Sequence, residues 1–93
     1  MYVLICKDWP DALALRMSVR EAHLAFARGL RPGLVRLGGP FLDAAGQMCG
    51  SLIILDTDDR AEVDAYLAAD PYTASGLFES VDVQPWRVTM PWT

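Results

Sequence analysis

The chain contains one histidine, His23, in the run Arg16-Met17-Ser18-Val19-Arg20-Glu21-Ala22-His23. A second polar group, Asp70-Pro71-Tyr72, follows much later. Imidazole is the side chain whose unperturbed pKa lies near neutrality, and a carboxylate can orient it. A fold that brings these two groups together builds a proton-transfer site. Each residue also has a plainer reading. His23 fits a half-buried helix residue bonded to a backbone carbonyl, and Arg16 and Arg20 fit a solvated face. Asp70 fits a turn residue ahead of a proline, and Tyr72 fits a packing aromatic.

The elements that must position these residues are legible from periodicity. From about Asp11 to Leu30 the pattern is helical, with Leu15, Val19, Ala22, Phe26 and Leu30 forming one apolar stripe. At about 100° per residue, His23 lies roughly 40° from Val19 on the side away from that stripe. Arg16, Arg20 and His23 follow at spacings of four and three and line one ridge beside it. A polar ridge bordering a buried stripe can line a pocket.

Tyr2 to Cys6 is a short apolar run and reads as a strand. Asp8-Trp9-Pro10-Asp11 then supplies helix-start chemistry. Leu34 to Leu37 is a second strand, closed by Gly38-Gly39-Pro40, and Gln47 to Leu55 is a third. Thr57 or Asp58 caps a second helix, about Asp59 to Ala69, with Val63, Tyr66 and Leu67 on its apolar face. Asp70-Pro71 stops it, because proline disfavours helix for the preceding residue. Tyr72 to Gly76 reads as a short helical turn. Leu77 to Val88 is the fourth strand, with Pro85 at an edge or bulge.

The order β-α-β-β-α-β predicts one α+β domain over 1–93. It would be ferredoxin-like, a four-stranded antiparallel sheet with two helices on one face. Runs such as Val3-Leu4-Ile5-Cys6 and Ser51 to Leu55 are apolar on both faces. Pairing of two such sheets face to face in a symmetric homodimer would cover the bare side. The high apolar content, 53% in 93 residues, points the same way, since small domains bury a modest share of their surface.

Several classes are disfavoured. A net charge of −4 and no basic patch with interleaved aromatics speak against nucleic acid. The acidic run Asp56 to Asp64 reads as a solvated loop and first helical turn. No stretch approaches the roughly 20 apolar residues that span a membrane, and the first residues do not read as a signal peptide. Cys6 and Cys49 are too few for a disulfide framework and read as small buried thiols. The expected compartment is the cytoplasm. One His and two distant Cys do not make a zinc site, so no metal is expected. No dinucleotide fingerprint or serine elbow is present, so no cofactor is expected either. Gly38-Gly39-Pro40 lacks phosphate-loop spacing and also reads as a simple turn.

Six stretches taken in order resemble the YciI-like (YCII-related) family of small bacterial proteins. They are Arg16 to Leu24, Leu37-Gly38-Gly39-Pro40, Gly50-Ser51-Leu52, Ala68 to Tyr72, Gly76 to Val81 and Val83 to Trp86. The resemblance implies a ferredoxin-like fold pairing into a dimeric α+β barrel. It implies a catalytic dyad that maps onto His23 and Asp70, with Arg20, Gly39, Pro40, Ser51 and Tyr72 supporting the pocket. In that arrangement Asp70 accepts the imidazole N–H and the other ring nitrogen exchanges a proton with substrate. Arg20, with Arg16, holds an anionic oxygen. Backbone amides near Gly39 or Ser51 add donors to a developing oxyanion.

The leading expectation is therefore a cofactor-free acid–base enzyme of elimination, dehydrochlorination or isomerisation type. Its ligand would be a small anionic or hydroxyaromatic molecule. A non-catalytic module that binds a small ligand is the alternative, and an oligomerising scaffold a third.

Overall fold

Alternation along Tyr2–Asp8 (β1) sets the centre of the sheet: Leu4, Cys6 and Asp8 are buried while Ile5 and Lys7 are exposed. In a strand, alternate side chains share a face, so Asp8 points to the same side as the core residues Leu4 and Cys6. The computed structural model describes residues 1–91; Trp92 and Thr93 of the expected 1–93 domain lie outside the described residues.

The remaining elements are α1 (Leu13–Arg28), β2 (Val35–Leu42), β3 (Met48–Leu55), α2 (Arg60–Ala69), α3 (Pro71–Ala74) and β4 (Phe78–Pro85). The strands run in the order β2-β3-β1-β4, and each neighbouring pair is antiparallel. This is the ferredoxin-like α+β arrangement. One cluster joins Leu4 and Cys6 of β1, Ile53 and Leu55 of β3, and Val63 and Tyr66 of α2, with Phe26 of α1 packed against it. Both long helices therefore cover the same face of the sheet.

Four expectations need correction. First, α1 buries only part of the stripe that periodicity suggested: Phe26 and Leu30 pack against the core, but Leu15 is 38% exposed, whereas Arg16 is 2% exposed. The helix is rotated so that its Arg16–Arg20–His23 ridge faces the sheet. Asp8, on the inner face of β1, supplies the counter-charge that makes burying Arg16 tolerable. Second, Gly38-Gly39-Pro40 does not close β2 but lies within it. β2 is an edge strand, where a proline lacking an N–H interrupts no essential ladder bond. Third, α1 starts without a side-chain cap, at Ala12. Asp8 stays in β1, and Asp11 takes a left-handed conformation at φ 58° that its short polar side chain tolerates. Fourth, the cap of α2 is Asp59, whose carboxylate accepts from the Ala61 N–H, while Thr57 accepts from the Asp59 N–H.

Pro85 is the last residue of β4, which is also an edge. Cys6 is buried, but Cys49 is only half-buried. On the sheet face away from the helices, Val3 is paired with Ile54 and Ile5 with Leu52. Leu37 and Phe41 extend this apolar face, and Leu37 is 70% exposed. Residues Trp86, Val88 and Met90 border it beside Leu37 and Ile54.

Candidate functional site

Asp70 owes its position to local chain chemistry. Ahead of Pro71 it is forced to extended backbone (φ −66°, ψ 123°), which ends α2. The same residue then caps α3, its Oδ1 accepting the Tyr72 N–H at 3.0 Å. This turn leaves the carboxylate fully buried and facing α1.

His23 Nδ1 lies 2.8 Å from that same Oδ1. A carboxylate oxygen only accepts, so the imidazole N–H donates and Nε2 is the nitrogen left for another partner. The Tyr72 ring stacks on the imidazole, with centroids 4.1 Å apart and planes inclined by 16°. Phe78 meets the Tyr72 ring edge-on at 6.0 Å.

Arg16 approaches Tyr72 as well, its Cζ 4.6 Å from the ring centroid. Arg16 Nε donates to Asp8 Oδ2 at 2.7 Å and Nη2 donates to Asp8 Oδ1 at 3.0 Å. Nη2 also donates to the Ser51 hydroxyl at 2.8 Å. Burial alone would lower the Arg16 pKa, but the hydrogen bonds and charge of Asp8 outweigh it, and the guanidinium is held firmly protonated. Burial raises the Tyr72 phenol, a shift that the charges of Arg16 and Arg20 oppose. Burial likewise raises Tyr66, with the negative charge of Asp70 adding to it.

These groups line a cavity of about 270 Å³. Of the residues singled out from sequence, Arg16, Arg20, His23, Gly39, Pro40, Ser51 and Tyr72 all border it, and Asp70 reaches it through His23. Ser51 contributes its hydroxyl to Arg16. It lies in a strand flanked on both sides, so its amide runs in the plane of the sheet rather than toward the cavity. Arg20 faces the cavity and makes no ion pair among the described residues. No group of three or more His, Cys, Asp or Glu among the described residues could hold a metal ion.

Sequence reasoning missed Asp8, read as part of a helix start, and the apolar walls Leu24, Ala27 and Ile53. The signal for Asp8 was present: a lone carboxylate in step with Leu4 and Cys6 belongs to a buried face and needs a cation.

The sheet order and the cavity between α1 and the sheet, with its polar ridge and apolar walls, define a ferredoxin-like α+β protein with a small-molecule-sized pocket. The chain belongs to the YCII-related domain family, which matches residues 1–87. It is 35% identical over 94 residues to protein YciI of Escherichia coli, covering 94% of this chain and 96% of that one. Among solved structures it resembles 5-chloro-2-hydroxyhydroquinone dehydrochlorinase (TftG) of Burkholderia phenoliruptrix, in complex with 2,5-dihydroxybenzoquinone. That match has 34% identity and a TM-score of 0.83, and covers 94% of each chain. An antibiotic biosynthesis monooxygenase, at 18% identity and a TM-score of 0.59 over 96% of this chain and 99% of that one, shares the fold.

Proposed function

We propose that this protein is a cofactor-free acid–base catalyst acting on a small hydroxylated ring, with His23 and Asp70 as its catalytic dyad. The observation that carries this reading is the 2.8 Å contact between His23 Nδ1 and a fully buried Asp70 carboxylate at the wall of a cavity. Asp70 fixes the tautomer and balances the charge as the ring becomes imidazolium, and Nε2 takes a hydroxyl proton from the ligand and returns one to carbon. Arg20 holds the resulting oxyanion, and Gly39 and Pro40 bound the ligand from β2. Arg16 and Ser51 shape the polar wall, and Tyr72 holds the imidazole flat.

The cavity, about 270 Å³, lies just below the usual range of ligand sites, about 300 to 1,000 Å³. It suits one substituted ring. Similarity to the dehydrochlorinase supports elimination of HCl from a chlorinated trihydroxybenzene as the reaction. Two hydroxyl protons leave oxygen: one goes to the carbon that carries chlorine and the other departs with the chloride, so the ring becomes a hydroxyquinone without an external oxidant. The test is chloride release from 5-chloro-2-hydroxyhydroquinone under anaerobic conditions. Release above the uncatalysed rate supports the reading. Binding without release instead assigns the pocket to a ligand-binding module.

We further propose that the outer sheet face pairs with a second copy. Ile5, Leu37 and Phe41 remain exposed there beside Val3, Leu52 and Ile54, an apolar surface of the kind that marks an interface. Sedimentation should give twice the 10.3 kDa chain mass; a monomer at micromolar concentration contradicts the pairing. No helix among the described residues is long and apolar enough to cross a membrane. Two free thiols suit a reducing compartment such as the cytoplasm.

A further inference from the structure

A second cavity, of about 330 Å³, lies between the end of β1, the start of α1 and the β2–β3 loop. Its walls include Lys7, Trp9, Leu13, Asp43 and Gln47. Met48 alone lines both this cavity and the one that holds His23. The buried ion pair also stands between the two: Arg16 lines the His23 cavity, Asp8 lines the other, and their side chains meet at 2.7 Å.

The two parts of this wall differ in how easily they yield. Asp8 and Arg16 are locked by two hydrogen bonds to each other and a third to Ser51, and separating buried charges is costly. Met48 is the first residue of β3, is half-buried and is no member of the hydrophobic core cluster. Its side chain is unbranched and has several rotatable bonds, so it adapts to what lies beside it. The pairing of β2 with β3 is irregular between Phe41 and Leu42, next to the Leu42–Met48 pair, which gives this end of the sheet some freedom of shape.

We propose that Met48 is the specificity-determining residue that limits this pocket to single-ring ligands, by closing the way into the neighbouring cavity. The proposal rests on the reading that the His23 cavity takes a hydroxylated ring. With the thioether removed, the second compartment becomes continuous with the first. A second fused ring then has room against Trp9 and Leu13 while its hydroxyl stays with His23 and Arg20.

The test compares the parent protein with Met48→Ala and Met48→Leu. The probes are 2,5-dihydroxybenzoquinone (one ring) and 2-hydroxy-1,4-naphthoquinone (two rings). Binding is read from the NMR signal of the only imidazole in the chain, and affinity by calorimetry. Met48→Ala should tighten the two-ring probe by about tenfold or more, and so raise the ratio of two-ring to one-ring affinity by at least that factor. Met48→Leu, which keeps the bulk, should behave as the parent. A two-ring probe that Met48→Ala binds no better than the parent does overturns the partition. If the one-ring probe still binds in that case, the hydroxylated-ring reading stands without it. Failure of the one-ring probe to disturb His23 in any of the three proteins counts against that reading itself.

Discussion

The Tyr72 ring lies flat against the His23 imidazole at 4.1 Å, and the Tyr72 backbone N–H donates to the same carboxylate oxygen that His23 meets. One residue thus holds both members of the candidate pair. Tyr72→Ala should cost about 3–5 kcal/mol of stability, the usual range for emptying a buried aromatic site. Tyr72→Phe keeps the stack and should cost less than about 1.5 kcal/mol. Urea denaturation of both variants checks the contrast. Equal losses would place the stabilisation in the hydroxyl rather than in the ring.

The Asp8–Arg16 pair, with side chains 4% and 3% exposed, predicts strong non-additivity. Asp8→Leu strands a buried guanidinium and should destabilise by roughly 3–5 kcal/mol. Adding Arg16→Met to it should recover most of that loss, because the uncompensated charge has gone. A double-mutant cycle by urea denaturation measures this. Additive losses would mean that the pair is not the unit its geometry describes.

Two groups give the folded state opposite pH dependences. Burial pushes the Cys6 thiol up to about 12 from 9.0, with the nearby Asp70 charge adding to it. The folded chain keeps that proton longer than the unfolded chain, so this contribution is whole below pH 9.0 and declines as pH rises toward about 12. Hydrogen bonds from Arg31 and then Thr57 hold the Glu62 carboxyl down at about 2 from 4.5. Its contribution is present above pH 4.5 and is lost as pH falls toward about 2. Urea midpoints measured across pH should therefore lose part of their alkaline slope in Cys6→Ala and part of their acid slope in Glu62→Gln. Slopes unchanged from the parent in both variants contradict these assignments.

The fold was legible because its signals are local. The apolar runs at Tyr2–Cys6 and Leu52–Leu55, the helical period around Val19 and Phe26, and the Asp70-Pro71 break each depend on near neighbours in sequence. The rotation of α1 was not legible that way. Periodicity favoured an inward Leu15, but the direction of the helix was decided by Asp8, eight positions before Arg16 and on another element. The place of Met48 at the junction of two cavities is likewise long-range, since it depends on where β1, α1 and β3 meet. The juxtaposition of His23 and Asp70 is a long-range fact too, 47 positions apart. It was reached through the resemblance of the ordered motifs, whereas helix geometry alone placed His23 no more closely than the border of the apolar stripe.

The proposed function turns on one step, proton exchange between His23 and the ligand under the control of Asp70. Asp70→Asn keeps a side chain that can cap α3 but removes the charge that balances an imidazolium. The decisive measurement is kcat for chloride release from 5-chloro-2-hydroxyhydroquinone in the parent, His23→Gln and Asp70→Asn, each shown to be folded. Losses of about 10²–10⁴-fold are expected in both variants; turnover within about threefold of the parent in either one would rule out the dyad.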